Sequence, residues 1–518
     1  MKKQQLDDST VIFPHSVYKN LFIGNEFYYV GVEKKAAAVE GTFSVFENNG
    51  ARVPIGVRPK LSRMELEQMC LDVESSYDAL NQLSYAKRAE FAIILAKQIL
   101  VPSVCEVIAV TIMLETGKAF ADARKEVVRT AEFIREYAEY IKDQSNDQMI
   151  DGHLIKKMGK GLGVHFSPTN YPINEGITVV IARLLAGNPM LYKPASACMA
   201  SAHAFEQLAL VPAIEIAANR IADFPKNCIA VLYGSGRDVT PIVARHVKHI
   251  SFIGSESGKK SIWQHFNKVE ATEDRRFAVS TMNPYVVLPN SLRIKEISGK
   301  LVQAAYGNRG ERCTAPGLIF LPMSEANVYI QHLKEACSEL KLGYPWESGV
   351  QITMPTDGSQ KNTDNFNYVL QNTMAGNAEL LHPTMDELEA ATNLFPPTLM
   401  KVNDLFNPCA HEETFGVITC VYVYDDSRSD WLADLENYMI ELDKGQQLAI
   451  FGEKALAMAV AAKLQKHTCG IFINELGGRG PDSLPFYHTG KAGYGSLSGY
   501  KTMYEDSLKY LRMTVFRE

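Results

Sequence analysis

The chain has 518 residues, enough for about three domains and a deeply enclosed site, which excludes a peptide or a small disulfide-stapled scaffold. Its 46% hydrophobic and 22% charged residues are typical of a fully folded globular protein. The formal net charge of -6 excludes a global positive field of the kind that binds nucleic acid, so a phosphate-bearing ligand needs a local arginine cluster.

The nine cysteines are widely spaced, with no CxxC pair and no zinc-ligand spacing, which indicates reduced thiols. The first ten residues include Asp7 and Asp8 and lack the apolar core of a signal peptide. The most apolar later stretches are interrupted by Glu106, Arg183 and Asn188. The sequence therefore predicts a cytoplasmic protein without a metal site, a membrane span or a nucleic-acid partner.

The N-terminal half begins with short β-rich runs, such as 26–32 and 41–45, broken by Asn-Asn-Gly at 48–50 and by Pro54, and these predict an N-terminal strand and loop region. From Ser62 to about Asp143, apolar residues recur at three- and four-residue spacings. That periodicity predicts three or four successive helices.

Beyond Ser145, short apolar strands alternate with helical stretches, and a second such series begins near Asn283. This alternation predicts doubly wound parallel sheets, with ligands at the carboxyl ends of the strands. The last predicted strand, 508–516, is a candidate for exchange with a partner subunit. The other predicted strands are 163–166, 190–193, 229–233 and 250–253 in the first series, and 285–288, 318–321, 416–424, 448–451 and 470–474 in the second.

The glycines at 254 and 258 suggest a phosphate-binding P-loop, but only three residues separate them and Lys260 stands where Ser or Thr is required. This mismatch argues against a nucleotide hydrolase. Gly254 and Ser255 nevertheless follow a predicted strand and precede a helix, where backbone N–H groups and the helix dipole hold a pyrophosphate.

One cysteine, Cys313, lies between a helical segment and a strand, close to Arg309 and Arg312. Neighbouring cations and backbone amides lower the pKa of a thiol and favour the nucleophilic thiolate. The alternative is a buried structural thiol, which is the usual state of a cytosolic cysteine and fits the other eight.

Six motifs occur in a fixed order along the chain. They are Ser-Pro-Thr-Asn-Tyr-Pro at 167–172, Ala-Gly-Asn-Pro-Met-Leu-Tyr-Lys-Pro at 186–194, Phe-Ile-Gly-Ser at 252–255, Gly-Glu-Arg-Cys-Thr-Ala at 310–315, Glu-Glu-Thr-Phe-Gly at 412–416 and Leu-Pro-Phe at 484–486. In this order, over nearly the whole chain, they resemble the aldehyde dehydrogenase superfamily. Within it the sequence is most similar to the NADP-dependent non-phosphorylating glyceraldehyde-3-phosphate dehydrogenases, through segments 126–132 and 478–486 and the arginine directly before Cys313.

The resemblance implies an α/β protein with the aldehyde dehydrogenase fold. A Rossmann-like dinucleotide-binding domain would comprise 1-142 and 162-282, and an α/β catalytic domain 283-484. A small β oligomerisation element would comprise 143-161 and 485-518. The resemblance further implies a homodimer or homotetramer.

The resemblance also implies NAD(P)-dependent oxidation of a small aldehyde through a thioester on Cys313. Asn170 would donate its side-chain amide to the oxyanion beside the backbone N–H of Cys313, and such donors typically contribute about 3–4 kcal/mol. Without the resemblance, Asn170 is equally a turn residue and Lys193 a solvated charge. The implied cofactor-binding residues are Ser167, Lys193, Ser196, Gly234, Gly254, Ser255, Glu413 and Phe415.

Ser196 stands three residues after Lys193, where many NAD-preferring relatives carry a glutamate that binds the adenine ribose. A carboxylate there repels a 2′-phosphate, whereas serine and lysine accept one. The sequence therefore admits both NADP and NAD and favours NADP.

A substrate-phosphate site is implied at Arg129, Tyr171, Arg312 and Arg479. Guanidinium groups suit a phosphate ester because their forked donors make charge-assisted bidentate bonds. The alternatives are a salt-bridged helix face for Arg129 and a general small-acid binder for Arg479.

Ala278 occupies the position where the resemblance places the general-base glutamate, which activates the water that hydrolyses the thioester. Alanine takes no proton, so water-driven deacylation is expected to slow by about 10²- to 10⁴-fold. Three explanations remain open. In the first, another carboxylate acts as the general base, with Glu475 as the candidate. In the second, CoA accepts the acyl group, as in CoA-acylating aldehyde dehydrogenases. In the third, the chain is a catalytically impaired dinucleotide-binding relative.

Overall fold

The computed structural model describes residues 38–48, 51–144, 147–150, 153–267, 274–291, 293–353, 359–391, 394–444, 446–477, 493–494 and 504–514. Within these ranges the chain forms four β-sheets accompanied by α-helices. This architecture confirms the predicted α/β fold class.

The described chain opens with a β-hairpin and then turns helical. Strands β1 (Ala38–Asn48) and β2 (Ala51–Lys60) pair antiparallel, which confirms the strand predicted at 41–45, whereas 26–32 lies outside the described residues. Five helices follow instead of three or four, because Pro102 starts a new helix and Gly117, with φ of 74°, ends it. They are α1 (Arg63–Glu74), α2 (Tyr77–Gln82), α3 (Tyr85–Ile99), α4 (Pro102–Thr116) and α5 (Phe120–Ile141).

A six-stranded sheet follows, in the order β17-β9-β8-β5-β6-β7. Five of its strands are parallel, and β17 runs antiparallel to β9. The strands are β5 (Gly163–Phe166), β6 (Met190–Lys193), β7 (Ile229–Val231), β8 (His249–Ile253), β9 (Asp274–Ala278) and β17 (Gly493–Tyr494). Strand order reverses between β5 and β8, and a crevice at the carboxyl ends of such strands is where doubly wound sheets bind ligands.

The helices of this part are α6 (Asn174–Leu185), α7 (Met199–Phe205), α8 (Val211–Arg220), α9 (Gly236–Val243) and α10 (Glu256–Phe266). The helical run Ser196–Arg220 is long and apolar enough to cross a membrane by length and composition alone. However, 67% of its most apolar window is buried inside the protein, so its apolar side chains serve as core contacts.

A seven-stranded sheet, in the order β12-β13-β14-β11-β10-β15-β16, forms the second half. It is parallel except for β12, which pairs antiparallel with β13. Its strands are β10 (Asn283–Val287), β11 (Pro316–Pro322), β12 (Ala378–His382), β13 (Thr398–Val402), β14 (Ile418–Tyr424), β15 (Gln447–Phe451) and β16 (Gly470–Ile473). Its helices are α11 (Ile294–Tyr306), α12 (Ala326–Ser338), α13 (Ser359–Met374), α14 (Met385–Ala390), α15 (Pro408–His411), α16 (Trp431–Leu442) and α17 (Lys454–Leu464).

The last sheet has three strands, β3 (Asp147–Ile150), β4 (His153–Gly159) and β18 (Leu508–Thr514). In this sheet β18 pairs antiparallel with β4 of its own chain, over the stretch predicted as a terminal strand. The loop after β5 contacts the loop before β11, where the Asn170 side chain donates a hydrogen bond to the backbone carbonyl of Glu311. A loop of the six-stranded sheet therefore lies against a loop of the seven-stranded sheet.

Candidate active site

Cys313 lies on a tight turn between a 3-10 segment, Gly307–Gly310, and strand β11. The backbone there is strained, because Asn308 and Arg309 have φ of 52° and 60°. The carbonyl of Cys313 accepts two hydrogen bonds, from Thr281 Oγ1 at 2.6 Å and Asn283 Nδ2 at 2.7 Å. These bonds fix the position of Cys313 on the turn.

The expectation that neighbouring arginines lower the pKa of the Cys313 thiol is wrong. Burial, together with the charges of Glu175 and Glu413, raises this pKa to about 12, against smaller opposite effects of a hydrogen bond with Gln446 and of the Arg312 charge. The Arg309 guanidinium forms an ion pair with Glu311 at 2.5 Å and is not among the largest influences on the thiol pKa. The resting thiol is therefore protonated at neutral pH and must lose its proton to become a nucleophile.

Asn170 is buried and lies against the turn that carries Cys313. Its Nδ2 donates to the carbonyl of Glu311 at 3.1 Å, two residues before the cysteine. A side-chain amide has two N–H groups, so one remains for another acceptor. The Asn170 backbone carbonyl accepts from Lys118 Nζ at 2.5 Å, which holds the loop from behind.

A buried ion pair supports this loop, and the sequence reasoning did not single out its lysine. Lys118 Nζ lies 2.5 Å from Glu126 Oε2, and the two side chains are 1% and 0% exposed. The other oxygen of Glu126 accepts the backbone N–H groups of Ile173 at 2.9 Å and Asn174 at 3.1 Å. Glu126 thus ties α5 to the start of α6, immediately after Asn170.

Two further carboxyl groups lie near the thiol. The Glu413 carboxylate accepts hydrogen bonds from the backbone N–H of Thr281 and from the Ser280 hydroxyl, and burial raises its pKa to about 7. Glu175, the second residue of α6, is partly buried, and burial together with the charge of Glu126 raises its pKa to about 7. Sequence reasoning did not select Glu175. Its position five residues after Asn170 was the one feature of the sequence that could have indicated a place near the site.

The structure brings only part of the predicted substrate-phosphate set to the cysteine. Tyr171 follows Asn170 and has the Lys118 ammonium 4.1 Å from its ring centre, and burial raises its pKa. The Arg312 guanidinium donates to the carbonyl of Ala304 near the end of α11. Arg129 is exposed on α5, and Arg479 lies outside the described residues.

A second group of predicted residues lies at the carboxyl ends of β5 and β6. The N–H of Ser167 donates to the Lys193 carbonyl at 3.0 Å. Lys193 is 3% exposed, and its ammonium donates to the Pro194 carbonyl at 2.5 Å. Burial lowers its pKa to about 7, and no carboxylate within the described ranges forms an ion pair with it. Ser196 is exposed and begins the next 3-10 turn.

The neighbouring turn after β8 leads into α10. Ser255 caps this helix by accepting the N–H of Gly258 at 3.1 Å, and the N–H of Gly254 donates to the Ala278 carbonyl at 3.0 Å. The Phe252 ring packs so closely that a Cβ on Gly254 would lie 2.7 Å from it. The turn therefore presents the positive end of α10 at the switch point of the sheet.

Three predicted residues remain. Gly234, with φ of 145°, lies between β7 and the capping Ser235 of α9. Phe415 adopts a left-handed conformation with φ of 44° beside Glu413. Glu475 is exposed just beyond β16.

Comparison with known proteins assigns this arrangement to a family. The model of the aldehyde dehydrogenase family matches residues 37–510, which is most of the chain. The chain belongs to the aldehyde dehydrogenase family. It is therefore an oxidoreductase of a family that acts on aldehydes with NAD or NADP.

Individual relatives of this aldehyde dehydrogenase are distant. The NADP-dependent glyceraldehyde-3-phosphate dehydrogenase of Streptococcus equinus is 24% identical over 481 residues, covering 89% of this chain and 93% of that protein. The crystal structure of the enzyme of that name from Bacillus halodurans C-125, complexed with NADP, superimposes with a TM-score of 0.78. Its sequence is 23% identical to this one, and the match covers 92% of this chain and 95% of the Bacillus halodurans chain. The crystal structure of an indole-3-acetaldehyde dehydrogenase complexed with NAD+ also superimposes with a TM-score of 0.78. It is 18% identical, and the match covers 92% of this chain and 94% of that chain.

Ala278 stands out in an aldehyde dehydrogenase with this geometry. It ends β9 beside the Gly254 turn, and its methyl group is buried with 3% exposure. Because no proton can be taken there, the position where the resemblance places a glutamate supplies no base.

Gly310→Ala is expected to lower the free energy of unfolding by about 3 kcal/mol and to displace Cys313. Gly310 has φ of 73°, and a Cβ there would lie 1.9 Å from the Gly416 carbonyl oxygen. The control is Gly299→Ala, at an exposed position within α11 with open space around the added Cβ, which is expected to stabilise by about 0.5–1 kcal/mol. Urea unfolding of both variants checks this, and similar effects would contradict the packing described for the turn.

Proposed function

We propose that this aldehyde dehydrogenase oxidises a small phosphorylated aldehyde of the glyceraldehyde 3-phosphate type to its acid, with NADP or NAD, through a thioester on Cys313. The observation that carries the proposal is the 3.1 Å hydrogen bond from Asn170 to the Glu311 carbonyl. It keeps an amide donor beside the one cysteine of the chain that lies on a strained, side-chain-anchored turn.

In this proposal Cys313 Sγ attacks the aldehyde carbon, and the carbonyl oxygen becomes an oxyanion. The second N–H of Asn170 and the backbone N–H of Cys313 stabilise that charge, an effect of about 3–4 kcal/mol for such donors. Lys118 fixes Asn170 through its backbone carbonyl, so the donor is positioned before the substrate arrives.

The residues at the sheet switch point fit a dinucleotide. Lys193 is a buried ammonium without a carboxylate partner in the described chain, and a bound anion compensates such a charge. With Ser167, Ser196, Gly234 and the N-terminus of α10 at Gly254 and Ser255, it would hold the adenosine and pyrophosphate part. Glu413 and Phe415, near Cys313, would hold the nicotinamide end. The bound cofactor supplies a hydride acceptor.

The phosphate of the substrate is assigned to Tyr171 and Arg312, with Arg129 and Arg479 as further candidates. Arg312 lies near both Tyr171 and Cys313, because its charge partly offsets the rise that burial causes in the pKa of each group. The relatives from Streptococcus equinus and Bacillus halodurans are NADP-dependent glyceraldehyde-3-phosphate dehydrogenases, which supports the same substrate class.

Arg312→Ala tests this assignment through the ratio of kcat/KM for glyceraldehyde 3-phosphate to that for unphosphorylated glyceraldehyde. A charge-assisted bond contributes about 1.5–3 kcal/mol, so the ratio is expected to fall about 10- to 100-fold. A purely structural effect would slow both substrates equally. Arg129→Ala is measured alongside Arg124→Ala on the same helix, where Arg124 pairs with Glu106 at 2.7 Å. An unchanged ratio in Arg312→Ala would overturn the phosphate assignment.

The acyl acceptor is proposed to be water. Because Ala278 carries no base, transfer of the acyl group to CoA is the second candidate, and a dinucleotide-binding protein without turnover is the third.

The assembly and compartment also belong to this proposal. All nine cysteines are free thiols, which supports a reducing compartment, the cytoplasm. The sheet of β3, β4 and β18 is proposed as the oligomerisation element of a homodimer or homotetramer, beside cofactor and catalytic domains divided near residue 282.

A further inference from the structure

We propose that Glu175 is the general base of this enzyme and takes the place of the carboxylate that Ala278 lacks. This inference rests on the proposed chemistry of Cys313. Glu175 lies on α6 in the first half of the chain, whereas the sequence-predicted candidate Glu475 lies just beyond β16.

The backbone places Glu175 in the segment that lies against the Cys313 loop. Asn170 bonds the Glu311 carbonyl, and the N–H of Glu175 donates to the carbonyl of Tyr171 at 3.1 Å. The segment from Asn170 to Glu175 is therefore one connected turn that begins at the Cys313 loop and ends in the first turn of α6. The charge of Glu175 acts on the Cys313 thiol more strongly than that of any other residue.

The bonding of the nearby carboxylates separates Glu175 from the rest. Glu126 is saturated by Lys118 and two backbone N–H groups, and Glu311 is paired with Arg309. Glu413 accepts from the backbone N–H of Thr281 and from the Ser280 hydroxyl. In the part of the chain that the structure describes, no donor bonds the carboxylate of Glu175. A partly buried carboxylate without a donor is costly, and it remains available to accept a proton from a reactant.

The surrounding charges suit that role. Glu126 on α5 repels the Glu175 carboxylate and Lys118 attracts it, while the charge of Arg312 acts on Tyr171 and Cys313. Burial is the largest influence, and the pKa of Glu175 rises to about 7. A base is most effective when its pKa lies near the working pH.

A proton moves at three points of the reaction. As the Cys313 Sγ–carbon bond forms and the carbonyl π bond breaks, the thiol proton passes to solvent. The carbon is oxidised to the thioester by loss of hydride, which a bound nicotinamide cofactor would accept. Glu175 then takes a proton from the attacking water as the carbon–oxygen bond forms. The carbon–sulfur bond breaks, the acid leaves, and the thiolate regains a proton from Glu175.

The test uses 4-nitrophenyl acetate, which acylates a thiol without cofactor. The burst of nitrophenol reports acylation of Cys313, and the steady phase reports hydrolysis of the acetyl thioester by water. Wild type, Glu175→Gln, Glu175→Asp, Glu475→Gln and Cys313→Ser are compared between pH 5.5 and pH 9. In parallel, iodoacetamide measures how readily the Cys313 thiolate forms.

For Glu175→Gln we expect a retained burst and a steady rate that is lower by about 10²-fold or more. In wild type the steady rate rises through about pH 7, as the raised pKa of Glu175 requires, and this rise disappears in the variant. Alkylation becomes faster, because removing the negative charge lowers the pKa of Cys313. A merely structural role would slow both reactions together. Glu175→Asp keeps the carboxylate and is expected to recover part of the steady rate.

A Glu175→Gln steady rate within twofold of wild type, with the pH step intact, would overturn the assignment of the base, and a selective loss in Glu475→Gln would transfer it to that residue. A burst that is absent in wild type, or that persists in Cys313→Ser, would instead overturn the proposed function of Cys313.

Discussion

Replacing Cys313 with serine is expected to lower kcat/KM for aldehyde oxidation by about 10⁴- to 10⁶-fold, the usual effect of removing a catalytic nucleophile. A serine hydroxyl is a far weaker nucleophile than a thiolate in the same position. The variant keeps the anchoring bonds, because Thr281 and Asn283 bond the backbone carbonyl and not the side chain. Folding and dinucleotide binding are therefore expected to stay unchanged.

The matched control is Cys469→Ser, since Cys469 is the other cysteine with a partly exposed side chain. Initial rates of NAD(P)H formation and the melting temperature with and without dinucleotide check the pair. A Cys313→Ser enzyme that oxidises aldehydes within tenfold of wild type would show that another group is the nucleophile.

Glu126→Gln is expected to lower the free energy of unfolding by about 3–5 kcal/mol, because it leaves the buried Lys118 ammonium without its counter-charge. Both partners are almost fully buried, so solvent screens little of this effect. Activity should fall as well, since Lys118 also holds the Asn170 carbonyl and Glu126 holds the start of α6.

The control for this variant is Glu106→Gln on α4. It removes the negative charge from the solvent-exposed ion pair between Glu106 and Arg124, and Arg124 lies on α5 with Glu126. Exposed pairs contribute little, so its unfolding curve in urea should overlay that of wild type. Equal stability of Glu126→Gln and wild type would mean that the ion pair does not hold the loop of Asn170.

Much of the fold could be predicted because buried parallel strands are short apolar runs. The strands at 163–166 and 190–193 have the predicted bounds, and both are fully buried. Strand β9, with the sequence Asp-Arg-Arg-Phe-Ala, was missed because three of its five residues are charged. Strands β12 and β13 were also missed, since polar residues interrupt them and only their neighbours define them as strands.

The site was predictable where one short motif carries the residue. Cys313 and Asn170 were selected from such motifs, and the fold brings their loops together. The thiol pKa was predicted in the wrong direction, because burial and the pairing of Arg309 with Glu311 depend on tertiary structure. Lys118 and Glu175 look like ordinary helix-end charges in the sequence, and only their surroundings give them a role at the site.

The most direct test of the account is a rapid-mixing experiment with enzyme, NADP+ or NAD+ and glyceraldehyde 3-phosphate, with and without CoA. Oxidation through a Cys313 thioester predicts a burst of one reduced nicotinamide per active site, followed by slower turnover that depends on the acyl acceptor. Acceleration by CoA would identify it as that acceptor instead of water. The absence of any reduced nicotinamide, while dinucleotide still raises the melting temperature, would contradict the account and indicate a binding protein without turnover.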